Sequence, residues 1–339
     1  MPRGLQNRLQ GVKSLPGGFD SHVLPPALIG ITANTGSVQI SMKQYGKAGD
    51  GGVLMYKIVR RKALRPTVTQ LEIEAPLVAR KAKPGQFIIL RVDEEGERIP
   101  LTVAGVNPEE GTVKIIFQVV GATTELLNHK KEGEYLQDFV GPLGNATETE
   151  GIKKVCIVGG GVGCAIAMPV AQEFHRLGAD VTSIIGFRSE DLVILEEEFN
   201  ECSNKCIVMT DDGSYGREGN VTVPLKEMLA AGEKFDMIIT IGPLIMMKFV
   251  TLTAKEFDAP ITVSMSPIMI DGTGMCGGCR LTLNTEEGPK MKFACVDGPD
   301  FNGYEVDFDE ASSRGRMYFD YERKKHEETC NLFRQAENA

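Results

Sequence analysis

Three cysteines stand among glycines near the end of the chain, in DGTGMCGGCRLTLNTEEGPKMKFACVDG (271–298). Cys276, Cys279 and Cys295 offer three thiolates, and a tetrahedral metal or a 2Fe–2S cluster needs a fourth ligand. Reading back from Cys276 reaches Asp271, so the register is D-x4-C-x2-C-x15-C. That is the C-x4-C-x2-C…C spacing of a 2Fe–2S site, with aspartate in the first slot. Structural zinc more often uses a second C-x2-C or a nearby His, and His326 is far along the chain. Two readings of Asp271 stay open. It is the fourth ligand, or it only starts an Asp-Gly turn and Cys330 of the tail is the rival ligand. A carboxylate is a harder donor than thiolate, so ligation by Asp271 would tune the cluster's potential.

A second stretch, GGGVGCAIAMP (159–169), follows an apolar run and opens a helical pattern. Gly159, Gly160, Gly161, Val162 and Gly163 would let the backbone turn tightly and approach a pyrophosphate at a helix N-terminus. The spacing departs from G-x-G-x-x-G, because Cys164 stands where the last Gly would be. No acidic residue ends the next strand; GFRSEDL (186–192) offers Arg188, which could touch a ribose or a 2′-phosphate. Asp211, in DDGS, would sit at the carboxyl edge of a sheet, where such sheets bind ligands. An ordinary tight turn remains the alternative for both loops.

Composition bounds the function. The net charge is −9, Trp is absent and aromatics make up 6%. These exclude the basic footprint and the stacking platforms of nucleic-acid binders. No apolar run reaches the ~18–20 residues of a membrane helix, and MPRGLQNRLQ lacks a secretory core. A cytoplasmic location is expected, with the eight cysteines reduced or metal-bound.

Around these motifs the chain divides. Residues 1–54 show no sustained period. They are either a disordered extension or the product of a start assigned upstream of Met55, which intact mass would decide. Over 55–150, VTQLEIEAP, QFIILRV, LTVAGV and TVKIIFQVV read as strands of an antiparallel barrel or sandwich. Over 151–262 strands and helices alternate, which predicts a parallel sheet. Strands are expected at 153–160, 179–187, 205–213 and 235–243, and helices at 165–178, 191–202 and 220–232. The apolar run FDMIITIGPLIMM (235–247) reads as buried strand and loop. The segment 263–339 carries the cysteines and a helical tail, YFDYERKKHEETCNLF (318–333), which either docks a partner or packs back on its own domain. Cys156 reads as core, and Cys202 and Cys206 as filler. Cys164 opens a helix, which would lower its thiol pKa, although packing against a bound cofactor is the favoured reading over reactivity. His129 reads as a solvated helix-end residue.

A barrel followed by a βαβ half opening on GGGVG resembles the ferredoxin–NADP reductase-like flavoproteins. RIPLT (98–102) resembles their flavin motif in the Arg-Pro-x-Ser form of dihydroorotate dehydrogenase electron-transfer subunits. The resemblance implies that Arg98 pairs with phosphate, that Thr102 approaches the flavin, and that Pro100 and Leu101 lie beside it. VVGATTELL (119–127) is similar to the second flavin segment, with Val119, Gly121, Ala122, Thr123 and Thr124 at the pyrophosphate. GPLG (141–144), with Gly141 and Gly144, matches the closing loop. IGPLIMMK (241–248), with Gly242, Pro243 and Met246, resembles the nicotinamide-side motif, although Ile241 replaces its cysteine. With DGTGMCGGC and FACVDGPDF, the whole resembles the small subunits of NADH-dependent reduced-ferredoxin:NADP oxidoreductases and sulfide dehydrogenases.

That resemblance implies an antiparallel FAD-binding barrel (55–150), a parallel-sheet NAD(P)-binding domain (151–262) and a C-terminal 2Fe–2S region. It implies FAD, NAD(H) and a 2Fe–2S cluster held by Asp271, Cys276, Cys279 and Cys295. It also implies an obligate larger flavin and iron–sulfur subunit that bifurcates electrons between NADPH and ferredoxin, so that ferredoxin is met only indirectly. No side-chain acid or base is assigned. Two alternatives are a dihydroorotate dehydrogenase-type electron-transfer subunit and a shuttle subunit of a hydrogenase or formate dehydrogenase assembly.

Overall fold

The computed structural model describes residues 55–337, and expectations for residues 1–54 lie outside them. The first half is antiparallel. Its strands are β1 (Tyr56–Arg65), β2 (Val68–Glu74), β3 (Phe87–Arg91), β4 (Arg98–Asn107), β5 (Thr112–Gln118), β6 (Tyr135–Leu136) and β7 (Asp138–Leu143), ordered β6-β1-β2-β5-β4-β3-β7. Short helices α1 (Pro76–Ala79) and α2 (Ala122–His129) are set between them. Only Gln137 separates β6 from β7. One stretch of chain therefore pairs with β1 at one edge and β3 at the other. The sheet becomes a nearly closed barrel, which removes most of its open edge. Ile88, Leu90, Leu71 and Ile115 fill its interior.

β3 departs from simple alternation because Phe87, Ile88, Ile89 and Leu90 are all buried. Ile88 and Leu90 point into the barrel, while Phe87 and Ile89 join a second core with Met265, Met269, Cys279 and Cys295. A strand apolar on both faces must be covered on both faces. The outer face of β3 is covered by the second half of the chain.

That half is a sheet ordered β11-β10-β9-β8-β12-β13-β16. Its strands are β8 (Lys154–Gly160), β9 (Asp180–Phe187), β10 (Lys205–Thr210), β11 (Arg217–Glu218), β12 (Met237–Ile241) and β13 (Ile261–Ser264), all parallel, and β16 (Asp300–Asn302), antiparallel to β13. The helices are α3 (Gly163–Arg176), α4 (Glu196–Cys202), α5 (Thr222–Ala230) and α6 (Leu244–Lys255). Strand order reverses between β8 and β12, so their carboxyl ends form the switch point where open α/β sheets bind ligands. A hairpin of β14 (Arg280–Thr285) and β15 (Gly288–Phe293) carries the cysteine segment, and α7 (Phe308–Gly315) and α8 (Phe319–Glu337) close the chain.

Two expected elements differ. The helix expected over 191–202 is a short 3-10 turn, Glu190–Leu192, followed by α4. Val193 and Ile194 are buried between them and Leu195 turns at φ 60°, so burying this apolar pair breaks the helix. The run expected as strand and loop to 247 becomes helical from Leu244, because Pro243 caps the start of α6. A proline just ahead of a helix loses no hydrogen bond there. Among the described residues no helix is long and apolar enough to cross a membrane.

Candidate functional site

Strand alternation sorts the RIPLT residues. Arg98, Pro100 and Thr102 lie on one face of β4 and pair with Arg91, Ile89 and Phe87 of β3. Directly paired residues share a face, so this row looks towards the second half of the chain. Leu101 points the other way and packs with Ile99 against the barrel core, which removes its side chain from the row. Val119 also packs on that core. The Arg98 guanidinium donates to Asp138 at 3.2 Å, and Arg91 donates to the same carboxylate oxygen at 2.8 Å.

At the start of α2 the Thr124 hydroxyl is used by the loop itself. It accepts from the Val120 and Gly121 amides at 3.0 Å and donates to the Gly121 carbonyl at 2.9 Å. The buried Thr123 hydroxyl donates to Glu97 at 3.4 Å. Neither side chain is open to a pyrophosphate, whereas no side chain caps the helix. Gly141 and Gly144 allow close packing: a Cβ on Gly144 would lie 2.8 Å from the Phe87 ring and 3.1 Å from Pro299.

The switch-point glycines divide by role. A Cβ on Gly163 would lie 2.5 Å from the Ile241 carbonyl oxygen and 2.6 Å from the Gly242 Cα, and one on Gly160 2.3 Å from Met246 Sδ. These glycines, with Gly242 and Pro243, let the β8–α3 and β12–α6 loops touch. Gly159 makes room for Cys164, whose sulfur a Cβ there would approach to 2.9 Å. Gly161 differs: it turns at φ 54° and nothing lies within 4 Å of its Cβ direction. No side chain caps α3 at Val162. The Gly161, Cys164 and Ala165 amides already donate to backbone carbonyls, so the Val162 and Gly163 amides are the ones this end of the helix can offer beside an open glycine. Cys164 is fully buried, and burial pushes its thiol pKa up. This overrides the lowering expected at a helix N-terminus. Arg188 and Asp211 are exposed side by side beyond β9 and β10, where the Asp211 amide donates to the Phe187 carbonyl.

Barrel row, switch point and cysteine segment converge. Phe87, Pro100, Thr102, Ile166, Ile241, Ser264, Met265, Met269 and Pro299 surround a cavity of about 30 Å³. This is far below the ~300–1,000 Å³ of a ligand pocket, so the cavity marks a junction rather than a container. A second cavity, about 1,000 Å³, lies between α3 and the outer faces of β2, β4 and β5. Ala165, Met168 and Pro169 of the glycine-loop stretch line it, but none of the candidate binding or ligand residues does, so the junction is the candidate site. Sequence reading had passed over Phe87, Met265, Met269 and Pro299. The one available signal was the four-residue apolar run in β3. Beside the junction, Asp300 accepts from the Thr147 hydroxyl at 2.6 Å, and its Oδ1 is enclosed without a partner. Although the residue as a whole keeps some exposure, burial raises its carboxyl pKa.

The cysteine loop packs on this same face, since a Cβ on Gly272 would lie 2.6 Å from Leu143 and 3.1 Å from Ile89. Cys279 and Cys295 are buried with their sulfurs 3.2 Å apart, and Cys276 is exposed. Burial first, then the neighbouring Cys279, pushes the Cys295 thiol up to about 12. Asp271 accepts from the Thr273 amide through Oδ1 and from the Cys276 amide through Oδ2, each at 2.7 Å. These bonds, the Thr273 one foremost, lower its pKa. Each carboxylate oxygen keeps a second lone pair, so forming the turn does not preclude ligation. The Gly278 amide points at Cys276 Sγ (3.4 Å) and the Cys295 amide at Cys279 Sγ (3.5 Å). Such amide contacts stabilise thiolates. Cys330 is elsewhere, on α8 beside Glu125 and His326. The donor set, the amides and the glycine-lined loop fit a 2Fe–2S cluster.

Comparison with known proteins agrees with this arrangement. Residues 266–307 match the model of the iron–sulfur cluster binding domain of dihydroorotate dehydrogenase B. Over 277 residues the chain is 46% identical to the dihydroorotate dehydrogenase B (NAD(+)) electron transfer subunit homolog of Thermotoga maritima, covering 82% of this chain and 96% of that protein. The chain belongs to this family of electron-transfer subunits. Identity to the dihydroorotate dehydrogenase B electron transfer subunit of Desulforamulus reducens is 31% over 254 residues, 74% of this chain and 96% of that one. A solved structure of an NADH-dependent reduced ferredoxin-NADP oxidoreductase, described for flavin-based electron bifurcation, matches at 45% identity and a TM-score of 0.75. It covers 84% of this chain and 99% of the solved one. The solved structure thus matches this chain over the barrel, the parallel sheet and the cysteine segment together.

Proposed function

We propose that this subunit moves electrons between NAD(H) and a larger partner subunit through FAD and a 2Fe–2S cluster. The observation that carries the reading is the convergence of three motif groups on one face. Thr102 and Pro100 of the barrel, Ile241 at the switch point and Met265–Met269 leading into the cysteine loop surround one point. FAD, when bound, supplies the conversion between hydride transfer and single electrons. Arg98, released from Asp138, and the amides of Ala122 and Thr123 would hold its phosphates, with Pro100 and Thr102 against its ring. The dinucleotide would lie at Gly161 and Val162, within reach of Arg188 and Asp211. Asp271, Cys276, Cys279 and Cys295 would hold the cluster, which would supply one-electron transfer. Exposed Cys276 and Met275 place that loop where a partner can approach. The partner would be the larger flavin and iron–sulfur subunit that meets NADPH and ferredoxin. Of the expected domain limits, 55–150 and the start of the second unit at 151 suit this assignment, whereas 262 falls inside β13 and β16 of the C-terminal segment returns to the parallel sheet.

Anaerobic titration of the purified chain tests the reading. NADH should bleach both flavin and cluster absorbance. Bleaching by dithionite alone would refute nicotinamide turnover. The dihydroorotate-type alternative is favoured by the relatives' names, and Asp271 in the first ligand position separates the two. Co-purification with a dihydroorotate-oxidising subunit would decide for it.

A further inference from the structure

The tail helix builds a second donor cluster, away from the iron–sulfur cysteines. His326 and Cys330 stand four residues apart on α8, which puts both on one face of the helix. Glu125 reaches them from α2, and one donor atom from each residue lies within 4.8 Å of the others. All three residues are part-buried. His326 Nε2 is enclosed and has no hydrogen-bond partner. It faces Glu125 Oε2 at 3.7 Å, beyond a hydrogen bond. An enclosed ring nitrogen without a partner is costly, and a missing ion is one physical remedy. Bonds of ~2.0–2.3 Å around a tetrahedral ion set ligand atoms roughly 3.3–3.8 Å apart, which this nitrogen–oxygen separation already meets.

We propose that Glu125, His326 and Cys330 bind a divalent transition-metal ion, zinc by the match of one sulfur, one nitrogen and one oxygen donor, with water in the fourth position. Binding releases the Cys330 thiol proton to solvent and leaves the imidazole neutral. The ion would pin α8 to α2, the helix whose first turn carries Gly121–Thr124. The site is separate from the cluster and does not depend on the reading of Asp271.

The full chain, carrying its flavin and cluster, tests this. It is equilibrated with zinc, desalted and assayed for zinc, iron and flavin. One zinc per chain is expected, with iron unchanged. The double variant His326→Gln/Cys330→Ser should lower retained zinc at least tenfold while keeping iron and flavin, which also report folding. Zinc-edge X-ray absorption of the unaltered chain should show one sulfur and otherwise nitrogen or oxygen. Zinc that fails to bind, that persists in the double variant, or that appears with two or more sulfurs and a loss of iron overturns the proposal.

Discussion

Replacing Asp271 by three different residues separates ligand from turn. As a turn former, Asp271 contributes through two amide bonds of 2.7 Å, from Thr273 and Cys276. At an exposed loop each is worth about 1 kcal/mol. Losing both would disfavour the closed loop by about 2 kcal/mol, or roughly 30-fold at 1.4 kcal/mol per tenfold. Asparagine retains one acceptor oxygen, so Asp271→Asn would lose about half of that. Asp271→Cys would lose nearly all, because a thiolate accepts amide bonds weakly. As an iron ligand the order inverts: cysteine restores a donor that iron prefers, and a neutral amide does not. Ligation therefore predicts iron per chain in the order Asp ≈ Cys > Asn > Ala, with a shifted potential and an altered reduced-state EPR signal for Asp271→Cys. The assay is iron and acid-labile sulfide per chain after anaerobic reconstitution, with EPR on the dithionite-reduced protein. Iron contents ordered Asp > Asn > Cys ≈ Ala would refute ligation and leave Asp271 as a turn residue.

Other outcomes follow from the same geometry. Arg98→Ala should reduce bound FAD at least tenfold while iron stays at the unaltered level; equal loss of both would mean Arg98 acts on the fold. Gly163→Ala drives a Cβ to 2.5 Å from a backbone carbonyl, where neither loop can yield. It should destabilise the chain by ~1–3 kcal/mol, read as a lower Tm, and slow bleaching by NADH more than by dithionite. Asp300→Asn addresses a carboxyl whose folded pKa is raised by burial. A raised folded pKa favours the folded state below the unfolded value near 3.8 and loses that contribution as pH rises through the folded value. The Tm of Asp300→Asn relative to the unaltered chain should therefore climb as pH rises above the unfolded value near 3.8 and converge below it. A pH-independent difference would contradict this.

Legibility differed by the range of the contacts involved. The strand–GGGVG–helix unit and the cysteine register were readable because each is made by neighbours in sequence, through backbone turns and ligand spacing. Leu101 illustrates a partial reading. The motif was visible, but which of its residues face the junction depends on the β4 pairing with β3. Cys164 likewise read as a helix-start thiol, until its packing under Gly159 decided its environment.

Local chemistry along the chain was enough to set the order of barrel, parallel sheet and cysteine loop, and the four residues of the D-x4-C-x2-C-x15-C register. Closure of the barrel by one stretch over 135–143, and the antiparallel edge strand β16, were decided only by pairing between distant segments. The same holds for the roles of the glycines. Gly160 and Gly163 serve contact between two loops, and Gly161 remains open, which no spacing could distinguish. Glu125, His326 and Cys330 meet across some 200 residues, a separation over which sequence carries no distance information. Only the packing of α8 on α2 brings their donor atoms together.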